Sequence, residues 1–216
     1  MKRMLILIAA VLLACVGGKG RGAGDRLPIL SAGVSASSDG QLVLTAEAVR
    51  QDSLEGSAAS LYLTTSGDDP AALFTGAEQL LAGQLYLSHA RTFVIDEAVA
   101  REGIAPLVQV LLAQDDVRLT LRLAVARDVT ADEIVRAQAV VEEIPGEALG
   151  ALLDAHAVQG GLPDLPLCRV SDRILSGADF SLPALTLTED GRVIPAGQAD
   201  FRLGRMTGFS GGEGLA

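Results

Sequence analysis

A basic start, a short apolar run and a cysteine occupy the first fifteen residues, and together they limit everything downstream. Lys2 and Arg3 supply positive charge, Leu5 to Leu13 is a nine-residue apolar stretch, and Leu12-Leu13-Ala14-Cys15 sets a cysteine behind a small residue. Nine apolar residues cannot cross a hydrocarbon core, which takes about 20. The layout is that of a bacterial lipoprotein signal peptide, cleaved before Cys15, whose thiol then carries a diacylglyceryl group. An ordinary secretory signal followed by an incidental cysteine is the plainer alternative. With Cys15 lipidated, only Cys168 remains of the two cysteines. No intramolecular disulfide can then brace the fold, and burial has to hold it.

About 200 of the 216 residues follow the signal, enough for one domain of ordinary size. Apolar residues make up 49% of the chain but aromatic ones only 3%, so the core must be built from Leu, Val, Ile and Ala. The net charge is −10, and loss of Lys2 and Arg3 makes the mature chain more acidic still. Such a surface repels a phosphate backbone, which excludes nucleic acid as a partner. It also disfavours anionic lipid unless a covalent anchor holds the chain there.

Residues 15–24 contain Gly-Gly-Lys-Gly-Arg-Gly-Ala-Gly and read as a tether between lipid and domain. Gly18-Lys19 precedes Gly20 rather than Ser or Thr, so the segment is no phosphate loop. From Asp25 onward the pattern becomes structured. Ile29 to Ser35 reads as a strand, Ser37 to Gly40 as a turn, and Gln41 to Arg50 alternates as a half-buried partner strand. Ala58 to Ser66 is a third strand. Asp69-Pro70 caps and opens a helix with Leu73, Ala77, Leu80 and Leu81 as its apolar stripe, ended by Gly83. Arg91 to Ile95 is a strand, Asp96 caps a short helix closed by Gly103, and Ile104 to Ala113 is helical. Leu119 to Ala126 alternates as a strand, and Thr130-Ala131-Asp132-Glu133 is a capping box. Gly146 to His156 and Leu165 to Leu175 are helical. Leu185 to Thr188, Arg192 to Pro195 and Ala199 to Leu203 are strand-like, with Asp190-Gly191 as a turn.

The chain is poor in catalytic groups. His89 and His156 are its two histidines, with no His-x-x-x-His or Cys-x-x-Cys spacing, so no metal site is expected. Asp115-Asp116 and Glu142-Glu143 are adjacent carboxylates whose side chains diverge, and they read as solvated charges. No Gly-x-Ser-x-Gly elbow occurs. Ser88 and His89 are neighbours, which does not readily bring the ring onto the hydroxyl, so His89 reads as a structural histidine. Cys168 reads as a small buried hydrophobe.

One stretch is familiar. Gly83-Gln84-Leu85-Tyr86-Leu87-Ser88-His89-Ala90-Arg91-Thr92-Phe93-Val94-Ile95 resembles a signature segment of the Ger(x)C family of spore germination lipoproteins. The likeness continues through Asp96-Glu97 and Ala100-Arg101-Glu102-Gly103. Gln114 to Leu119, Ile144-Pro145, Gly160-Gly161-Leu162-Pro163 and Asp25-Arg26 resemble further family elements in the same order. Family members set the lipidated cysteine against a Trp-Asp pair; this chain has no tryptophan, and the glycine tether intervenes.

The expected fold is α+β, a mixed, largely antiparallel sheet packed by helices. The expected domains are a signal peptide (1–14), a lipidated cysteine and tether (15–24), a Ger(x)C N-terminal-like domain (25–205) and a flexible tail (206–216). The resemblance implies a non-catalytic subunit of a nutrient germinant receptor without metal or cofactor. It implies lipid anchoring at Cys15 to the outer face of the plasma membrane, the spore inner membrane. The implied partners are the integral membrane A and B subunits. The sheet edge and the loop carrying Leu85, Tyr86, His89 and Arg91 are the expected partner interface. Alternatives are a solute-binding lipoprotein of a transporter, or a lipid-anchored cell-wall enzyme.

Overall fold

Strand β1 (Ile29–Ala36) is buried along seven of its eight residues, which puts protein on both of its faces. The computed structural model describes residues 28–51, 58–81, 85–137 and 144–212. The readings at Cys15, the tether, Asp25-Arg26, Gly83 and Glu142-Glu143 lie outside those residues.

The strands that follow are β2 (Leu42–Gln51), β3 (Ala58–Gly67), β4 (Thr92–Asp96), β5 (Arg122–Ala126), β6 (Phe180–Leu187), β7 (Val193–Arg202) and β8 (Arg205–Ser210). They form one sheet in the order β3-β2-β1-β4-β5-β6-β7-β8. Its centre, β1-β4-β5-β6, is parallel, and both flanks are antiparallel. The fold class is the expected α+β. Helices α1 (Pro70–Leu81), α2 (Glu97–Glu102), α3 (Ala105–Leu112) and α6 (Leu167–Ser176) cover one face, and α4 (Ala131–Arg136) and α5 (Pro145–Val158) cover the other.

Two cores result, split by side-chain alternation along the central strands. Phe93, Ile95, Leu123 and Val125 join Leu73, Leu107, Leu111 and Val170 in the larger core. Val94, Ala124 and Ala126 point the other way, against Ile134, Val135, Leu149 and Leu153. Small residues on this second face let the helices sit close. A Cβ on Gly33 would approach Ala131 Cβ to 3.0 Å. Two-sided cover is typical of parallel strands, and here it extends outward to β2. The expectation of a half-buried β2 is therefore corrected, since Thr45 and Glu47 are as buried as Leu44 and Ala46.

Local signals place most elements. The β1–β2 turn closes with Gly40 at φ +85°, a glycine conformation. Asp69 Oδ1 accepts from Ala72 N at 2.8 Å at the start of α1. The Thr130–Glu133 capping box is present, with Thr130 Oγ1 accepting from Glu133 N and Glu133 Oε2 accepting from Thr130 N.

Four expectations are corrected. Leu80 is 65% exposed, and Phe74 takes its place in the α1 stripe. Asp96 precedes α2 but does not cap it; its carboxylate instead accepts from Ala36 N and from Ala131 N at the start of α4. Strand β5 begins at Arg122, because the carbonyls of Leu119 and Leu121 accept from Cys168 N and Leu167 N at the head of α6. Residues 206–210, placed in a flexible tail, belong to β8, which pairs with β7 through a turn at Leu203-Gly204. The short, polar, glycine-containing Arg-Met-Thr-Gly-Phe-Ser lacks the alternation that marks a buried strand.

Candidate functional site

Residues 85–91 lead into β4, the second of the parallel strands, so the segment lies at the N-terminal end of the sheet's centre and not along an edge. Its backbone is tied down on both sides. Tyr86 bridges Pro28, and Ile29 N donates to Tyr86 O at 3.0 Å. Leu87–His89 form one 3₁₀ turn, closed by Ala90 N donating to Leu87 O. Leu87 N donates to Asp116 Oδ2 at 3.0 Å. Asp116 is therefore an anchor for this segment rather than a solvated charge, a role visible only once the chain brings residue 116 back.

The four candidate interface residues separate. Leu85 is 3% exposed and belongs to the larger core, so its assignment to a partner surface is corrected. Tyr86 and His89 remain at the surface, their rings 5.7 Å apart and tilted by 51°. The hydroxyl of Ser88 lies buried with no hydrogen-bond partner, so His89 does not activate it.

Arg91 runs beneath α5 and joins a chain of charges. Its guanidinium donates to Glu147 at 3.2 Å and to Asp154. Asp154 also receives Arg122, from the start of β5, and Arg122 donates to Asp164 at 2.8 Å. The hydrogen bond from Arg122 is the largest influence and holds the Asp154 carboxyl below its ordinary value; burial opposes it, and the charges of Arg122 and Arg91 add to the lowering. Arg91 and Arg122 are neighbours because β4 and β5 are parallel and in register, Arg122 N donating to Arg91 O at 3.0 Å. The three acids come from α5 and the loop after it. The cluster links strands and helix at the end of the sheet that carries Tyr86 and His89.

Two further arrangements were not legible in sequence. Glu47, on β2, is fully buried and accepts from Ser31 Oγ at 2.9 Å and Ser60 Oγ at 2.7 Å. It lies against the N-terminus of α5, where a Cβ on Gly146 would come within 2.5 Å of Glu47 Oε2. The loop Gly160 to Leu165 borders an open groove of about 420 Å³ with Arg173, Asp179, Ser181 and Gln198. Cys168 is half-buried at the start of α6, more accessible than expected. Among the described residues, no three metal-capable side chains converge, and no helix is long and apolar enough to cross a membrane.

Residues 24–187 match the family described as the spore germination protein N-terminal domain. No curated protein matches the chain. The crystal structure of the GerBC protein is similar with a TM-score of 0.42 and 16% sequence identity, over 84% of this chain and 52% of that one. The chain thus spans about half the length of that protein. Because the matched stretch runs from before β1 to the end of β6 and takes in the Leu85–Arg91 segment, this chain belongs to the Ger(x)C family of spore germination proteins, within its N-terminal domain.

Proposed function

We propose that this protein is the lipid-anchored, non-catalytic C subunit of a nutrient germinant receptor. In this reading Cys15 carries the lipid and holds the domain on the outer face of the plasma membrane. The domain docks there onto the integral membrane A and B subunits. The observation that carries the reading is the family match over residues 24–187, separated from Leu12-Leu13-Ala14-Cys15 by the short glycine-rich stretch. A covalent anchor also suits a domain whose net charge of −10 gives it no attraction to anionic lipid. Tyr86 and His89 are the surface residues proposed to meet a partner, held in place by Asp116 and by the Arg91–Asp154–Arg122 cluster.

The test is affinity purification of the tagged full-length chain from sporulating cells, followed by mass spectrometry. Recovery of polytopic A and B subunits supports the reading, and recovery of transporter permeases or of no membrane protein refutes it. Metabolic labelling with palmitate tests the anchor separately. Label should be present in the wild type and absent from Cys15→Ser.

A further inference from the structure

The two edges of the sheet are built differently. At one edge, β8 has six residues, begins with Arg205, and pairs with β7 through a register shift at Asp200/Phe201. Charge, shortness and irregularity are the usual means by which an edge avoids further pairing. At the other edge, β3 has ten residues, Ala58 to Gly67, all paired with β2 without a bulge. It contains no charged residue and no proline. Among the described residues nothing pairs with its outer side.

From Ala59 onward, and apart from buried Thr65, the side chains of β3 are incompletely covered on both faces. Leu61 and Leu63 are partly buried against the larger core, and Tyr62 against the smaller one, where Arg136 lies 4.8 Å from its ring centre. The order Ser60-Leu61-Tyr62-Leu63-Thr64 is nearly a palindrome about Tyr62. In an antiparallel pair, residues directly opposite share a face. A two-fold axis perpendicular to the sheet, passing midway between Tyr62 and its copy, therefore sets Leu61 opposite the partner's Leu63 on the face of α1. On the other face it sets Ser60 opposite the partner's Thr64, with the two tyrosines at the centre. Apolar residues meet apolar and hydroxyl meets hydroxyl; the charges nearest the contact are of both signs, Arg136, which donates to Thr64 and lies over Tyr62, and Glu47, which accepts from Ser60. This self-matching order is what a symmetric interface needs, since each patch must complement itself.

We propose that β3 is a homodimerisation strand, with a second copy of this chain extending the sheet across the β3 edge. The occupant is a copy rather than a foreign strand because of the symmetry about Tyr62, which a foreign strand does not require.

The test uses the full-length chain in detergent micelles. Sedimentation equilibrium should show a reversible dimer at concentrations up to about 100 µM. Hydrogen exchange at the backbone amides of β3 should slow in the dimer and quicken on dilution. The double variant Ala59→Lys/Ser66→Lys, at two exposed positions of β3, should raise the dimer Kd tenfold or more while leaving the thermal midpoint near that of the wild type. A monomer throughout the range, a dimer whose β3 amides exchange as in the monomer, or a dimer untouched by the two lysines would each overturn the proposal. The exchange measurement needs no substitution and stands even if the variant folds poorly.

Discussion

Gly150 of α5 lies directly over the guanidinium of Arg91, so closely that a Cβ at position 150 would come within 2.9 Å of Arg91 Nε and 3.0 Å of Cζ. Alanine normally gains about 1 kcal/mol over glycine inside a helix. Here that gain is opposed by the loss of the fit that lets Arg91 reach both Glu147 and Asp154. Gly150→Ala should therefore lower stability by about 1 kcal/mol in urea denaturation. In an Arg91→Ala background the same change should become stabilising. A destabilisation that persists without the arginine would refute the contact as its cause.

Glu47 supplies the acceptors for two serine hydroxyls while fully buried. Glu47→Ala removes them and opens a void beneath α5. The orphaned hydroxyl of buried Ser31, that of part-buried Ser60 and a cavity together cost about 3 kcal/mol. Glu189→Ala, at an exposed position, should change the urea midpoint little. Gly146→Ala should resemble the Glu47 variant, because its Cβ would meet Glu47 and, at 2.9 Å, Leu30.

Two aspartates should give opposite responses to acid. Asp154 is held below its ordinary value by its arginine partners. Its contribution is present above the ordinary aspartate range and is lost as pH falls through the lowered folded value. Asp96 is held above its ordinary value by burial, in spite of hydrogen bonds from Ala131, Ala36 and Ser35. Its contribution is greatest below the ordinary range and is lost as pH rises through the raised folded value. Asp154→Asn should be less stable than wild type at neutral pH and converge with it in acid. In Asp96→Asn, the wild type's loss of stability between the ordinary and the raised value should disappear. Thermal midpoints taken at a series of pH values decide both. A parallel offset of either variant across the whole range speaks against its assigned role.

Core and surface within the Leu85–Arg91 segment should separate experimentally. Leu85→Asp puts a carboxylate into the larger core and should lower stability by several kcal/mol, reducing folded yield. His89→Glu, at an exposed position, should leave the thermal midpoint unchanged and weaken recovery of the receptor A and B subunits. Unchanged recovery with His89→Glu would remove that histidine from the proposed interface.

The parts of this molecule that could be read before folding are those whose causes are local. Alternation in Leu42 to Arg50, the Thr130–Glu133 box and the Asp69-Pro70 start each depend on residues within one turn or one strand. Hence β1, β2, α1 and α4 appear close to their expected places. The α+β class follows from the sum of such elements. The Ger(x)C likeness was legible as well, because the Gly83–Ile95 segment is contiguous.

Features that depend on residues far apart in the chain were not legible. Asp96 reads as a cap for its own helix until the parallel sheet sets the start of α4 beside it, at residue 131. Glu47 reads as the solvent side of an alternating strand until α5 closes over it. Leu85 reads as part of a partner interface within the Leu85–Arg91 segment, yet it packs in the core. Arg91 and Arg122 meet through strand register, and Asp154 joins them only because α5 crosses above. Nor did β8 have a pattern of its own; it exists by pairing with β7. In each case the deciding free energy is burial or pairing between distant segments, which composition and periodicity do not encode.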